Sequence, residues 1–383
     1  MSNKFISDVL LEVADAIESG NFGKKIKVGL TTLGSEHGSE NLINGAILAN
    51  KGDFEIVLIG KGAEGFTSYE TETEDEMYKV MEQLLDSKEI DACVTMHYNF
   101  PIGVSTVGRV VTPGRGREMY LATTTGTSAT DRVEAMVRNA IYGIATAKSC
   151  GIAKPTVGIL NLDGARQVEK VLLSLKKNGY DFDFAESMRA DGGSVMRGND
   201  LLIGVPDVMV TDTLTGNLLM KVFSSFNTGG DFEAQGFGYG PGIGENYDRR
   251  VLILSRASGT PVVANALKYA FEIAKGEVNV VAREEYKKAV SCGLDKEFAE
   301  LKSKKAPKEA VEEVVAPPKE VVTEGIAGVD ILDLEDAVKA LWKDGIYAES
   351  GMGCTGPIVM IAPDKLDAAM EYMQKVEWVV QDR

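Results

Sequence analysis

Short apolar, β-branched runs alternate along the chain with stretches whose apolar residues recur at helical spacing, beginning near Lys25. That rhythm predicts repeated βα units and so a mostly parallel sheet covered by helices. The first unit reads as a strand over Lys25–Thr32 (KIKVGLTT), a helix over Ser39–Asn50 with Leu42, Ile43, Ala46 and Ile47 on one face, and a strand over Phe54–Gly60. Further strands are predicted at Ile90–Met96, Met119–Thr123, Thr156–Leu160, Asp207–Thr211 and Arg250–Leu254. Helices are predicted at Glu74–Leu85, Asp131–Ala147, Ala165–Lys176 and Asn217–Phe226. In open sheets of this type ligands sit beyond the carboxyl ends of the strands, so the loops that follow them are where chemistry is expected.

Two segments break the rhythm. Residues 1–24 read as an amphipathic helix in which Asp8, Glu12, Asp15 and Glu18 interleave with apolar positions, unlike a secretory leader. From Lys302 to Glu324 the composition turns to Lys, Glu, Ala, Val and Pro, which cannot bury a core and reads as a semi-rigid linker. The expected organisation is therefore an N-terminal helix (1–24), an α/β domain (25–301), a linker (302–324) and a small α+β module (325–383). In that module the pattern predicts a helix over Leu334–Asp344, strands over Ile346–Glu349 and Ile358–Ile361, and a helix over Asp364–Lys375. So small a core is expected to dock on the main domain or on a partner.

Charge and cysteine usage narrow the function. A net charge of -16 with no basic stripe argues against a nucleic-acid or anionic membrane partner, so an anionic substrate must be met locally. No apolar run approaches bilayer-spanning length, and a cytoplasmic location is expected. Cys93, Cys150, Cys292 and Cys354 are widely spaced with no C-x-x-C pair, which suggests neither a disulfide framework nor a zinc site. With only His37 and His97 as histidines, no metal centre is expected. His97 lies beside an apolar run, where a structural role is the alternative to a chemical one.

Three loops carry candidate chemistry. In Ser350–Pro357 (SGMGCTGP) a cysteine, Cys354, is expected at the tip of a tight turn between two strands. The glycines around it allow positive φ and close approach of N–H groups, with Gly353 and Thr355 as candidate oxyanion donors for an acyl group on the sulfur. A Gly-rich hairpin over a buried structural thiol would look the same, and spacing alone leaves both readings open. Cys93, inside an apolar strand, reads as core, and Cys150 and Cys292 lack a catalytic setting. The second loop, after the strand Asp207–Thr211, offers Asp212, Thr213, Thr215, Gly216 and Asn217 at a helix start, a place suited to phosphate or acyl-phosphate oxygens. Any capped βα turn shares that look. The third, Gly34–Glu40, offers His37 as a further candidate for the same phosphate or acyl-phosphate oxygens, and also reads as an ordinary helix start. The Gly-rich stretch Gly229–Gly244 is no dinucleotide fingerprint and is expected to be a mobile loop over a site.

The segments IKVGLTTLGSEHGSENLINGAILA, KPTVGILNLDGARQVEKVLLSL, DVMVTDTLTGNLLMKVF and SRASGTPVVANALKYAFEIA together resemble the phosphate acyltransferase superfamily. That resemblance implies a three-layer, mostly parallel sheet of the phosphate acyltransferase and isopropylmalate dehydrogenase-like type. Glu36 stands where the phospholipid-synthesis enzymes carry Asp, and His97-Tyr-Asn-Phe-Pro-Ile-Gly replaces their Gly-Asn-Thr-Gly loop, which argues against a long-chain acyl substrate. The linker followed by Gly-Met-Gly-Cys-Thr-Gly-Pro is similar to the alpha subunits of component C of glycine, sarcosine and betaine reductase, over essentially the whole chain. This resemblance implies an acetyl thioester on Cys354, formed from a carboxymethyl-selenoprotein donor (selenoprotein A) and cleaved by inorganic phosphate to acetyl phosphate. It further implies an oxidoreductase complex, a component C beta subunit as partner, and no cofactor. A free-standing phosphate acyltransferase with no cysteine intermediate, or a non-catalytic docking subunit, are the alternatives.

Overall fold

The computed structural model describes residues 25–190, 192–305, 314–330, 333–353 and 356–376, together with Val13 and Trp378. Apart from Val13, the expected helix over 1–24 lies outside the described residues, as does the middle of the linker, 306–313. Two compact units emerge, one from Met1–Leu160 with Asp181–Ser291, the other from Asn161–Tyr180 with Cys292–Arg383.

The first unit holds a twelve-stranded sheet. Its strands are β1 (Lys27–Thr31), β2 (Glu55–Gly60), β3 (Thr67–Glu70), β4 (Ala92–Thr95), β5 (Val104–Val111), β6 (Glu118–Thr127), β7 (Thr156–Leu160), β8 (Asp183–Phe184), β9 (Val195–Met196), β10 (Val208–Val210), β11 (Gly240–Ile243) and β12 (Val251–Ile253). Their order across the sheet is β3-β2-β1-β4-β12-β11-β5-β6-β10-β7-β8, with β9 beside β7. Among the described residues the α-helices between Lys25 and Lys305 are α1 (Gly38–Ala49), α2 (Glu74–Asp86), α3 (Arg132–Ser149), α4 (Ala165–Lys177), α5 (Gly198–Ile203), α6 (Thr213–Ser225), α7 (Thr260–Lys275), α8 (Val278–Ser291) and α9 (Leu294–Lys305). Among the described residues no helix is long and apolar enough to cross a membrane.

The βα rhythm produces the mostly parallel α/β sheet it predicts. Val57, Ile59 and Cys93 point to one face, where Met77, Met81, Leu84 and Leu85 of α2 cover them. Val28, Leu30, Ile56 and Leu58 alternate with these and are equally buried, so the other face is covered too. Here α7 packs on β1 and β4, and α1 packs on α7. The α1 and α7 backbones come close because residue 45 is glycine: a Cβ there would lie 2.5 Å from the Val263 side chain.

The centre of the sheet departs from the expectation. β5, β6, β11 and β12 pair antiparallel through β12/β11, β11/β5 and β5/β6. Gly240–Ile243, expected within a mobile loop, is instead a buried strand at mid-sheet. Its glycines serve close packing: a Cβ on Gly240 would fall 1.7 Å from the Val107 carbonyl, and one on Gly242 2.3 Å from the Phe100 ring. Because three antiparallel steps separate β12 from β6, the parallel set β1, β2, β4, β12 runs opposite to β6, β10, β7. The carboxyl ends of the two sets therefore face opposite edges of the sheet.

In the second unit α4 packs on α9, with the Ser174 hydroxyl donating to Glu297 at 2.5 Å and Asn178 Nδ2 to the Cys292 carbonyl at 2.9 Å. The same unit contains the C-terminal module, an antiparallel sheet in the order β13 (Glu324–Ala327), β15 (Gly356–Ile361), β14 (Ala348–Gly353) with helices α10 (Leu334–Lys343) and α11 (Leu366–Lys375). Ile326, Val338, Leu341, Val359, Ile361 and Met373 form its core. β13 is an added strand at the end of the expected linker, and β14 runs four residues past the strand predicted over Ile346–Glu349.

Candidate active site

At the carboxyl end of β10, Asp212 caps α6. Its extended backbone turns the carboxylate back onto the Thr215 N–H at 2.8 Å, satisfying one of the donors that a helix start leaves open. Its other oxygen meets the Arg132 guanidinium at 2.5 Å. Burial works against ionisation of Asp212, yet the Thr215 N–H and Arg132 outweigh it and hold the carboxyl below its usual range. Arg132 opens α3, so two helix N-termini converge on this pair. Thr213 Oγ1 donates to the Gly126 carbonyl at 2.9 Å, and Asn217 Nδ2 to the Thr124 carbonyl at 3.0 Å, clamping α6 to the end of β6. Gly216 makes the clamp possible: a Cβ would lie 1.7 Å from the Thr123 carbonyl oxygen.

Beneath the clamp lies a buried hydroxyl network. Thr106 and Thr124 hydroxyls are 2.6 Å apart, Thr124 Oγ1 donates to the Tyr239 carbonyl at 2.7 Å, and Thr211 Oγ1 to the Thr123 carbonyl at 2.9 Å. Asn139 joins it, donating to the Thr211 carbonyl at 3.1 Å while accepting from Ser128 and Ser105. Fully paired polar networks of this kind fix backbone positions. Asp212, Thr213, Thr215, Gly216 and Asn217 thus lie together where β10 ends and α6 begins. Arg132 was missed; its signal is the polar run Thr123–Arg132, which ends β6 and opens α3, with Asp131 accepting from the Glu134 N–H as a helix cap.

His37 belongs to the opposite edge. It sits exposed at the start of α1, with no side-chain capping bond, its Nε2 3.3 Å from the Ala257 carbonyl and its ring edge-on to Phe232 at 5.8 Å. The Glu36 N–H donates to the Arg256 carbonyl at 2.9 Å, and Asn41 Nδ2 to the Ser258 carbonyl at 2.9 Å. Behind this loop the buried Glu233 carboxylate accepts from Tyr239 and Ser258 hydroxyls, each at 2.9 Å. The structure therefore separates His37 from the Asp212 group, with which the sequence reading had placed it.

Cys354 and Thr355 lie outside the described residues. The two strands leading to them are in register, Gly353 opposite Gly356 and Gly351 opposite Ile358. Among the other thiols, Cys93 is fully buried, which pushes its pKa far up, and burial lifts Cys150 to about 11; neither is poised as a thiolate at neutral pH. His97 borders a cleft of about 350 Å³ with Asp75, Tyr78, Lys79, Glu82, Tyr98 and Asn99. Among the described residues no group of three or more His, Cys, Asp or Glu side chains could hold a metal ion.

A mostly parallel α/β sheet with polar loops at its strand ends defines the class, and the sequence comparisons define it further. Residues 26–360 match the family model described as fatty acid synthesis protein. The chain is also 62% identical over 374 residues to the glycine/sarcosine/betaine reductase complex component C subunit alpha of Peptoclostridium acidaminophilum, covering 97% of each chain. The chain belongs to the fatty acid synthesis protein family and, within it, to the group of component C alpha subunits. A phosphate acyltransferase of Thermotoga petrophila is 26% identical over 233 residues, 51% of this chain and 67% of that protein. A branched-chain phosphotransacylase structure from Enterococcus faecalis aligns with a TM-score of 0.47 and 15% identity, over 65% of this chain and 99% of that one.

Proposed function

We propose that this chain is the acetyl-accepting subunit of a glycine, sarcosine or betaine reductase. The observation that carries the reading is the 62% identity, over 97% of both chains, to a component C alpha subunit. In the proposed reaction the C–Se bond of a carboxymethyl-selenoprotein is cleaved reductively, a thiol of the donor protein supplying the two electrons as it forms a Se–S bond. The Cys354 thiolate captures the resulting acetyl unit as a thioester, one carboxylate oxygen leaves as hydroxide, and the N–H groups of Gly353 and Thr355 hold the carbonyl oxygen. A phosphate oxygen then attacks the thioester carbonyl, the C–S bond breaks, the thiolate leaves and acetyl phosphate is released. The Asp212–Asn217 loop with Arg132 is the proposed phosphate side, supported by its two helix N-termini and its cation. A component C beta subunit is the proposed standing partner, in the cytoplasm.

The test is arsenate-driven hydrolysis of acetyl phosphate by the purified chain, with and without the beta subunit, in wild type, Cys354→Ala and Cys93→Ala. Loss confined to Cys354→Ala supports the thioester route. Full activity in Cys354→Ala rejects it and favours direct acyl transfer to phosphate, the reading to which the phosphate acyltransferase relatives point.

A further inference from the structure

The cleft beside His97 takes no part in the Asp212 group. It opens between α2 and the segment that follows β4, whose carboxyl end faces the sheet edge opposite to that of β10. Its floor is closed by a fixed cluster. The Tyr98 hydroxyl donates to Glu82 at 2.8 Å, and the Arg249 guanidinium donates to Glu82 and to the Tyr98 oxygen, each at 2.7 Å, and to both Asp86 oxygens at 2.8 Å. The Glu82 charge is thereby answered by Arg249, and the cluster holds α2 and the Tyr98 segment in place.

The rim is different. Asp75 and Lys79 stand one turn apart on α2, and His97 and Asn99 line the same cleft from the segment after β4. All four side chains are exposed, and among the described residues none of them makes a hydrogen bond or an ion pair. Opposite charges at this helical spacing ordinarily pair with each other. Here both are left open at one cavity of about 350 Å³, within the size range of small-molecule sites.

We propose that this cleft binds a small zwitterion, a molecule of amino-acid size carrying one ammonium and one carboxylate. A simple anion held by Lys79 would stand against the Asp75 carboxylate, and a simple cation held by Asp75 would stand against the Lys79 ammonium. A ligand with both charges meets both, its ammonium on Asp75 and its carboxylate on Lys79 and the Asn99 amide. The Cβ atoms of residues four apart on a helix are about 5–6 Å apart, a span that suits charged groups separated by one or two carbons. Tyr78, which lines the same cleft, adds an aromatic ring for the ammonium. This site is independent of Cys354 and of the acyl transfer proposed above.

The probe is glycine, with acetate and methylamine as its two single-charge halves, titrated calorimetrically into the full-length chain. Glycine should bind, and each half at least about tenfold more weakly, because each lacks one charge-assisted contact. Asp75→Asn and Lys79→Gln, both at exposed positions, should weaken glycine by a similar factor with circular dichroism unchanged. NMR reads the location: the chain has two histidines, so the His97 imidazole signals are assigned against a His37→Ala sample. Glycine should shift the His97 signals and leave those of His37 in place. Absence of glycine binding at tens of millimolar overturns the proposal. So does acetate that binds as tightly as glycine, binding undiminished in both variants, or a His97 signal that glycine leaves unmoved.

Discussion

At the end of β10 the chain is pinned from several directions: Asp212 is held by Thr215 and Arg132, Thr213 and Asn217 bond to β6, and Gly216 touches the Thr123 carbonyl. At the end of β1, on the opposite edge, the corresponding loop is exposed, and His37 caps nothing with its side chain. One sequence pattern, a strand followed by a polar helix start, thus gives a helix clamped to the neighbouring strand in one place and, in the other, an exposed turn held by the backbone carbonyls of residues 256–258. What separates them is how closely the helix approaches the neighbouring strand, which depends on a single glycine.

The largest effect should come from closing that approach. Gly216→Ala puts a methyl into a carbonyl oxygen, and we expect at least about 3 kcal/mol of destabilisation in urea unfolding. A loss below about 1 kcal/mol would mean that α6 can lift away from β6 freely. Next, Asp212→Ala removes a helix cap and an ion pair, for which a loss of about 1–2 kcal/mol is expected.

The pH dependence of that loss has a defined sign. Folding lowers the Asp212 pKa, so the unfolded chain binds more protons than the folded one near the ordinary carboxylate value of about 4. The stabilisation is complete above that range and disappears as pH falls through the lower folded-state value. The difference in urea midpoint between wild type and Asp212→Asn should therefore shrink on acidification; a difference constant down to strongly acidic pH would remove the ion pair and cap as its source.

On the other edge the effects should be smaller. Gly38 has φ of +77° and nothing within 4 Å of a Cβ, so Gly38→Ala should cost about 1 kcal/mol through backbone strain alone. His37→Ala should change stability by less than about 0.5 kcal/mol, as expected for an exposed side chain. A larger loss in thermal unfolding would show that its contacts to Phe232 and Ala257 hold the two loops together.

These two edges also show what could be read from sequence. Strands such as β2 and β12 were legible because Val, Ile and Leu fill them, and the Asp212–Asn217 group because it is contiguous, whereas β3, β8 and β9, also paired parallel, were not read from the sequence. β5 was not, since Ser105, Thr106 and Arg109 interrupt its apolar pattern; only in the fold do Thr124, Asn139 and the carboxylates of Glu118 and Glu272 pair with them. β11 was hidden for a different reason: Gly-Pro-Gly-Ile has the composition of a loop, and its place in the sheet follows from backbones that meet too closely for side chains. Arg132 lies 80 residues from Asp212, and no local pattern reports such a pairing.

The antiparallel centre also matters for synthesis. β4 and β5 both find neighbours in a hairpin-like pair made far later, Gly240–Ile243 and Val251–Ile253. A nascent chain must therefore carry an open edge on β4 for more than a hundred residues before β12 arrives to close it. Ribosome-bound chains truncated before Gly240 are expected to expose that edge to chaperones and to one another, and those extending past Ile253 to become protease-resistant, so the late glycine-rich segment acts as the closing step of the whole sheet.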